Sequence, residues 1–227
     1  MANPIKIIYE DNHLLVVNKP AGILVQGDKT GDIPLVDIAK DYVKRKYNKP
    51  GAVFLGVVHR LDRPVSGLVI FARTSKALER MNAQLKNKEI KKTYWAIVNH
   101  QPPVEEDRLT HWLIKDTQKN ITKAYDREKK GSLKAILDYK LLGRIGHEYI
   151  LQVNPLTGRP HQIRVQLAKM GCSIVGDLKY GHDKANRDAS IMLHARSLSF
   201  VHPVRKEKMR FDAAPPEMQK WKPFKGF

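Results

Sequence analysis

The chain has 227 residues and a mass of 26.0 kDa, enough for one large domain or two small ones with a real hydrophobic core. Hydrophobic residues make up 42% and charged residues 28%, a balance that excludes wholesale disorder. Lysine and arginine number 41 against 23 acidic residues, and the net charge of +18 indicates a polyanionic partner such as nucleic acid. A basic but inert surface is the alternative, because net charge informs on association rather than on fold.

The sequence lacks the motifs of several classes of protein and of several kinds of functional site. The single cysteine, Cys172, excludes an intramolecular disulfide and a multi-cysteine zinc site, and it is expected to be a core residue. The amino terminus has no signal-peptide pattern, and no apolar run approaches the roughly 18 residues of a membrane span. The common nucleotide-binding and hydrolase motifs are missing, and the nine histidines are scattered. We therefore expect a cytoplasmic protein with no membrane, no metal and no cofactor.

Strand-like and helical segments alternate with turns along the whole chain. In the first half of the chain, the pattern predicts strands at 5–9 and 14–18, a helix at 34–47, a buried strand at 67–72, a helix from Thr74 or Ser75 to 85, and a strand at 92–98. Hairpins and loops are predicted over 100–132, followed by a strand pair at 133–142 and 148–153 around Gly143 and Gly146. The remaining elements are a helix within 157–171 that ends at Gly171, a strand at 193–200, and a short helix and tail over 213–227. Many strands with about four helices predict an α+β fold with a mixed, largely antiparallel sheet and flanking helices. There are too few helices for a doubly wound parallel sheet.

Asp62 is the first candidate catalytic residue that the sequence indicates. It is the only carboxylate between Tyr42 and Leu78, an interval that also holds eight basic residues. A nearby positive charge lowers the pKa of an aspartate by about 1–3 units, and an ionised, immobilised carboxylate is a usable nucleophile. The alternative is that Asp62 merely forms an ion pair with Arg60 or Arg63 that holds a loop, and such structural pairs are the commoner case.

Two further stretches carry weaker signals. If Pro160 begins a helix, His161 and Arg164 share one face, and with Arg159 they would form a phosphate site at a helix N-terminus. A solvated basic face is an equally good interpretation. Tyr94, followed by Trp95 and preceded by lysines, could stack on a base, although such an aromatic pair more often belongs to the core.

Taken together, these blocks resemble the RluA-type RNA pseudouridine synthases. The matching blocks are Val17-Asn18-Lys19-Pro20-Ala21-Gly22, His59-Arg60-Leu61-Asp62-Arg63 with Ser66-Gly67, Lys92-Thr93-Tyr94-Trp95-Ala96-Ile97-Val98, Leu156-Thr157-Gly158-Arg159-Pro160-His161-Gln162-Ile163-Arg164, and Gly176-Asp177 with Tyr180-Gly181 followed by Leu193-His194-Ala195. They occur in family order over roughly residues 5–212. Val65 and Gln26 depart from the threonine and histidine that many members carry.

The resemblance implies a single catalytic domain over 1–227, with a mixed, mostly antiparallel sheet and a central cleft. It implies the isomerisation of uridine to pseudouridine in structured transfer or ribosomal RNA, with the target uridine flipped out. The implied roles are Asp62 as nucleophile, Arg164 as its arginine partner, Tyr94 stacking on the target base, Ile163 as an apolar contact to that base, and Arg60 filling the gap left by the flipped nucleotide. Whether Asp62 attacks the ribose or the uracil ring stays open.

The resemblance also sets expectations for partners. An isomerisation needs no cofactor, and we expect a monomer that binds RNA. Because the resemblance begins near the first residue, we expect no amino-terminal RNA-binding domain, and substrate choice would then depend on loops such as 100–132. Two other functions compete with this one. A non-catalytic RNA-binding protein could keep the same fold, and a base hydrolase would need a second carboxylate near Asp62.

Overall fold

The structure is a computed structural model that describes residues 5–218 and 220–224. The strands are β1 (Lys6–Glu10), β2 (Leu14–Lys19), β3 (Gly56–Val57), β4 (Ser66–Ala72), β5 (Lys91–Val98), β6 (Glu106–Asp116), β7 (Ile121–Tyr125), β8 (Leu133–Ile145), β9 (Glu148–Pro155), β10 (Leu193–Val201) and β11 (Lys208–Asp212). The α-helices of the described residues are α1 (Leu35–Lys46), α2 (Ser75–Lys86) and α3 (Gln162–Lys169). The predicted α+β class with a mixed sheet is confirmed.

Two compact units divide the chain. The first comprises 1–91 and 195–214, and the second comprises 92–194 and 215–227. A single catalytic domain over the whole chain therefore stays a prediction.

The first unit is built on strands in the order β1-β2-β4-β10, with β3 paired to β4 and β11 to β10. The apolar runs of β2 and β4 form its centre, and every residue from Leu68 to Ala72 is fully buried. Helix α2 begins at a Thr74 cap whose Oγ1 accepts a hydrogen bond from the Ala77 amide at 3.1 Å, and it packs Met81 into this core.

Gly67 marks a close approach of two strands in this unit. Its φ is +119°, and a Cβ at this position would lie 2.4 Å from the backbone nitrogen and oxygen of Ala195 in β10. Only glycine fits such a contact without moving a strand. The residue therefore locks the start of β4, which follows the Asp62 segment, onto β10.

The second unit is an antiparallel array in the order β5-β9-β8-β6-β7. Helix α3 packs on the β6 and β7 side, where Val165 joins Leu113, Ala135 and Tyr180 in a small apolar cluster. Cys172 is buried in this unit, and burial raises the pKa of its thiol to about 11. The expectation of a core thiol is confirmed.

The structure corrects several details of the sequence reading. Helix α3 begins at Gln162 rather than at Pro160, because His161 adopts a left-handed conformation with φ of 53°. Strand β8 continues through Gly143 with an irregular register between Leu141 and Gly143, so only Gly146 lies in the turn. Strands β3 and β11 were not predicted, and there are three α-helices in the described residues instead of about four.

In the described part of the predicted carboxy-terminal helix, the structure has a short 3₁₀ turn at Lys222–Phe224. Residues 219 and 225–227 of that segment lie outside the described residues. Within 5–218 and 220–224, no helix is both long and apolar enough to cross a membrane. The same residues contain no cluster of three or more potential metal ligands.

Candidate active site

Asp62 lies in a short turn that is fastened to a second turn of the first unit. The Val65 amide donates to the Asp62 carbonyl at 3.1 Å and closes the Asp62 turn. The Gly22 amide donates to the Arg63 carbonyl at 2.8 Å, and Arg63 Nε donates to the Gly22 carbonyl at 2.9 Å. Gly22 has a φ of +89°, a conformation that side chains disfavour. These bonds hold the half-buried Asp62 at a fixed place in front of β4.

A buried lysine joins the same two turns. Lys19 at the end of β2 is 0% exposed, and its Nζ donates to the carbonyls of Pro20, Ile23 and Arg63 at 3.0, 2.7 and 3.2 Å. Burial lowers the pKa of Lys19 to about 7, and the nearby charge of Arg63 adds to this, whereas the negative charge of Asp62 opposes it. Through its bond to the Arg63 carbonyl, Lys19 therefore fixes the turn that carries Asp62.

The two arginines beside Asp62 have different surroundings. Arg63 Nη1 pairs with Asp32 at 2.7 Å, and its Nε bonds Gly22. The Arg63 guanidinium therefore binds both the Asp32 carboxylate and the Gly22 carbonyl. Arg60 is exposed to solvent. A side chain must be exposed if it is to fill the place of a flipped nucleotide, which is the role that the resemblance implies for Arg60.

In the second unit, Arg164 of α3 is held by a buried carboxylate. Its Nε donates to Asp177 Oδ2 at 2.7 Å, and its Nη2 donates to Asp177 Oδ1 at 2.8 Å. Arg164 is 5% exposed and Asp177 is 1% exposed. The guanidinium carbon also lies 5.0 Å from the ring centre of Tyr180. The arginine is therefore fixed in orientation by a bidentate pair and an aromatic ring.

The loop that enters α3 is ordered by Gln162. Its Oε1 accepts from Thr157 Oγ1 at 2.8 Å and from the Arg159 amide at 3.0 Å, and its Nε2 donates to the Ile136 carbonyl at 3.0 Å. His161 Nδ1 lies 2.7 Å from the Tyr180 hydroxyl. A buried amide and a histidine–tyrosine contact thus determine where α3 starts.

The predicted phosphate site at this helix start is wrong in its geometry. Because α3 begins after His161, His161 and Arg164 do not lie three apart on one helical face. Arg159 directs Nε to the Lys134 carbonyl at 3.1 Å, and Arg164 binds Asp177. The alternative of a solvated basic face fails as well, since Arg164 is buried.

The remaining predicted site residues also lie in the second unit. Tyr94 of β5 is 8% exposed and pairs in register with Val153, while Trp95 is 6% exposed. Ile163 precedes Arg164 on α3 and is 7% exposed. Lys92 shares a strand face with Tyr94, because side chains two apart point the same way. Burial lowers the pKa of Lys92 to about 8.

The structure thus gathers the site residues in two groups. Arg60 and Asp62 share one segment of the first unit, whereas Tyr94, Ile163 and Arg164 belong to the second. The individual roles of these residues stay predictions. The sequence assigns no role to Lys19 or Asp177, although each lies in one of the blocks that carry the family resemblance.

The family described as RNA pseudouridylate synthase matches residues 13–169, a range that includes Asp62, Tyr94 and Arg164. The chain belongs to this family. Among curated members, the ribosomal large subunit pseudouridine synthase C of Buchnera aphidicola subsp. Baizongia pistaciae is 33% identical over 217 residues, which cover 91% of this chain and 66% of that protein. The ribosomal large subunit pseudouridine synthase D of Zymomonas mobilis is 32% identical over 224 residues, covering 94% of this chain and 70% of that protein.

The chain therefore spans about two thirds of the length of these pseudouridine synthases. Among solved structures, human RNA pseudouridylate synthase domain containing 4 superposes with a TM-score of 0.77 at 22% identity, covering 93% of this chain and 89% of that one. This likeness confirms the pseudouridine synthase fold. The resemblance to the RluA-type enzymes is likewise confirmed.

Proposed function

We propose that this protein is an RNA pseudouridine synthase that isomerises uridine to pseudouridine in structured ribosomal RNA. Family membership over residues 13–169 supports the reaction. The curated relatives are named for the large ribosomal subunit, which favours ribosomal RNA over transfer RNA as the substrate. The net charge of +18 suits a polyanionic substrate of this kind. A monomeric state and a cytoplasmic location stay predictions.

The reaction needs one immobilised nucleophile and no redox partner. The bond between uracil N1 and ribose C1′ breaks, a bond between uracil C5 and C1′ forms, and the proton lost from C5 is balanced by one gained at N1. Asp62 acts as the nucleophile, at C1′ or at the uracil ring, and leaves again when the carbon–carbon bond is complete. The substrate and product are isomers, so no cofactor is consumed.

The other site residues bind and position the substrate. Arg164, oriented by Asp177, presents a fixed guanidinium to the substrate, and Tyr94 stacks on the target base. Ile163 provides an apolar contact, and Arg60 takes the place of the flipped nucleotide. Extruding a base costs a few kcal/mol, and binding of the phosphates by the basic surface offsets this cost.

The observation that carries the proposal is the rigid support of Asp62. A carboxylate with a merely surface role needs no such anchoring. Here its turn is tied to a buried lysine and to Gly22 through main-chain carbonyls. Fixing a nucleophile before the substrate arrives removes an entropic cost from the reaction.

Single-turnover release of tritium from RNA labelled at uracil C5 tests the proposal. The wild type should release tritium from a large-subunit ribosomal RNA transcript, and Asp62→Asn should fall to background while it keeps its fold and its RNA affinity. Asp37→Asn on α1, an exposed carboxylate paired with Lys40, is the matched control.

The outcomes separate the competing functions. RNA binding without any tritium release by the wild type would identify a non-catalytic binding protein, and free uracil among the products would identify a hydrolase. If folded Asp62→Asn retains activity within about tenfold of wild type, a barrier difference below about 1.4 kcal/mol, Asp62 is not the nucleophile. Mapping pseudouridines in a deletion strain and its parent then separates ribosomal from transfer RNA.

A further inference from the structure

The sheet of β6, β7 and β8 in the second unit has two different faces. Side chains alternate along a strand, so one face can pack inward while the other points outward. Leu113, Ala124 and Ala135 lie on the inner face, where they join Val165 and Tyr180. The outer face carries the residues between them.

That outer face combines aromatic rings with lysines. Trp112 of β6 stands directly opposite Tyr125 of β7 and Lys134 of β8, and both aromatic side chains are partly exposed. Lys134 Nζ lies 5.7 Å from the centre of the Trp112 ring, and Lys129 Nζ lies 4.1 Å from that of Tyr125. Lys123 lies two residues before Tyr125 and is exposed. We name these five residues the basic aromatic face.

The charge of this face is not neutralised locally. Residues 115–134 contain seven basic and three acidic side chains. The Asp126 carboxylate pairs with Lys169 at 3.0 Å. Among the residues that the structure describes, no carboxylate pairs with Lys123, Lys129 or Lys134. The three ammonium groups are therefore available to an anionic ligand.

We infer that the basic aromatic face binds a single-stranded segment of the RNA substrate. Bases stack on aromatic rings with little sequence preference, and lysines bind the phosphates between them. The flexible lysine stems let the ammonium groups move from the ring faces to phosphates when bases occupy the rings. This inference rests on the proposed function, because it assigns one surface for the same RNA substrate.

A second copy of the chain fits this surface less well than RNA. A symmetric dimer would place the same patch of each copy against the other. Three lysines would then face three lysines, which is repulsive. RNA instead complements both the charge and the rings.

The structure also provides a built-in probe. Of the three tryptophans, Trp95 is 6% and Trp221 is 1% exposed, whereas Trp112 is partly exposed. Base stacking on Trp112 should therefore quench the exposed part of the tryptophan fluorescence when a single-stranded RNA of about 12 nucleotides is added. In Trp112→Phe the quench should be lost, while anisotropy of the labelled RNA still shows binding, because phenylalanine keeps a stacking ring.

Two variants then test the rings and the lysines separately. Tyr125→Ala should weaken binding roughly 5- to 160-fold, and Tyr125→Phe should restore it. Lys129→Ala with Lys134→Ala should lower the slope of log affinity against log salt by about 1.4, which is about 0.7 for each lost phosphate contact. The control Lys44→Ala with Lys76→Ala removes two exposed lysines from α1 and α2 and the same net charge.

The measured affinities and slopes decide the inference. It is overturned if the Lys129/Lys134 and Lys44/Lys76 variants have the same slope, or if folded Tyr125→Ala binds RNA as the wild type does. It is also overturned if Tyr125→Ala changes only the sedimentation of the protein, since the face would then join two copies. These readouts do not depend on tritium release, so a wild type that binds through this face and forms no pseudouridine would refute only the proposed function.

Discussion

The buried pair of Arg164 and Asp177 allows a quantitative prediction. Asp177→Asn keeps the size of the side chain and removes its charge. The asparagine still offers one acceptor oxygen, but its amide nitrogen is a donor facing the donors of the guanidinium. Arg164 would then carry a buried charge with its bidentate partner gone.

The size of the effect follows from burial. Because position 177 is 1% and Arg164 is 5% exposed, water cannot replace the interaction that the Arg164 guanidinium loses in the variant. Removing one partner of such a pair destabilises a protein by about 3–5 kcal/mol. For a chain of this length each kcal/mol corresponds to about 2–4 °C, so the melting temperature should fall by roughly 6–20 °C.

An exposed pair with the same geometry is the control. Arg108 Nε and Nη2 donate to Asp138 Oδ1 and Oδ2 at 2.6 and 3.0 Å, with both side chains accessible to water. Asp138→Asn should leave the melting temperature almost unchanged, because water replaces the lost bonds. The comparison isolates burial, since both pairs are bidentate.

The measurement is urea unfolding and thermal melting of both variants, together with Arg164→Met/Asp177→Leu. The apolar double variant should recover much of the stability without recovering activity, because the buried charges are gone and Arg164 is absent. A stability loss of less than about 1 kcal/mol for Asp177→Asn, or an equal loss for Asp138→Asn, would refute the reasoning.

Three further changes test other parts of the structure. Gly67→Ala should destabilise the protein by about 2–6 kcal/mol in urea unfolding through backbone strain and overpacking, whereas Gly51→Ala, which meets no atom within 4 Å, should not. Because burial lowers the pKa of Lys19 to about 7 and that of Lys92 to about 8, the unfolded chain binds more protons than the folded chain in this range, so the free energy of unfolding should rise by about 3 kcal/mol from pH 7 to 9, with about 2 kcal/mol of it from Lys19. The raised pKa of the Cys172 thiol opposes this rise by less than about 1 kcal/mol up to pH 9, and a flat or falling curve between pH 7 and 9 would contradict the lowered pKa values of the two lysines. Arg164→Lys should lower single-turnover pseudouridine formation by at least about tenfold despite the kept charge, since lysine cannot grip a carboxylate with a planar fork; wild-type turnover would show that the fork is not needed.

The parts of the fold that the sequence predicts well are those with local causes. The run that forms β4 is apolar at every position, and the Thr74 cap of α2 bonds an amide three residues away. The start of α3 has a tertiary cause instead. His161 has a left-handed backbone conformation, and its side chain contacts Tyr180, which lies 19 residues further along the chain. The preference of proline for the first helical position predicts a start at Pro160, because it takes no account of this distant contact.

The candidate site shows the same division. Asp62 stands out in the sequence because no other carboxylate is near it. The hydrogen-bond partners of Lys19 and Arg164 cannot be identified in the same way, because they are distant in sequence. The Arg63 carbonyl is 44 residues from Lys19, and Asp177 is 13 residues from Arg164. The sequence shows which residues are charged, but the tertiary fold determines which of these residues are in contact.

The contacts of Lys19 have a consequence for how this segment can vary. Its three acceptors are main-chain carbonyls, which every residue possesses. Side chains at Pro20 and Ile23 can therefore change while the acceptors remain. An added or deleted residue between Lys19 and Ile23 would instead shift the carbonyls out of register. In a deep mutational library, this segment should tolerate substitutions outside Gly22 far better than single-residue insertions or deletions.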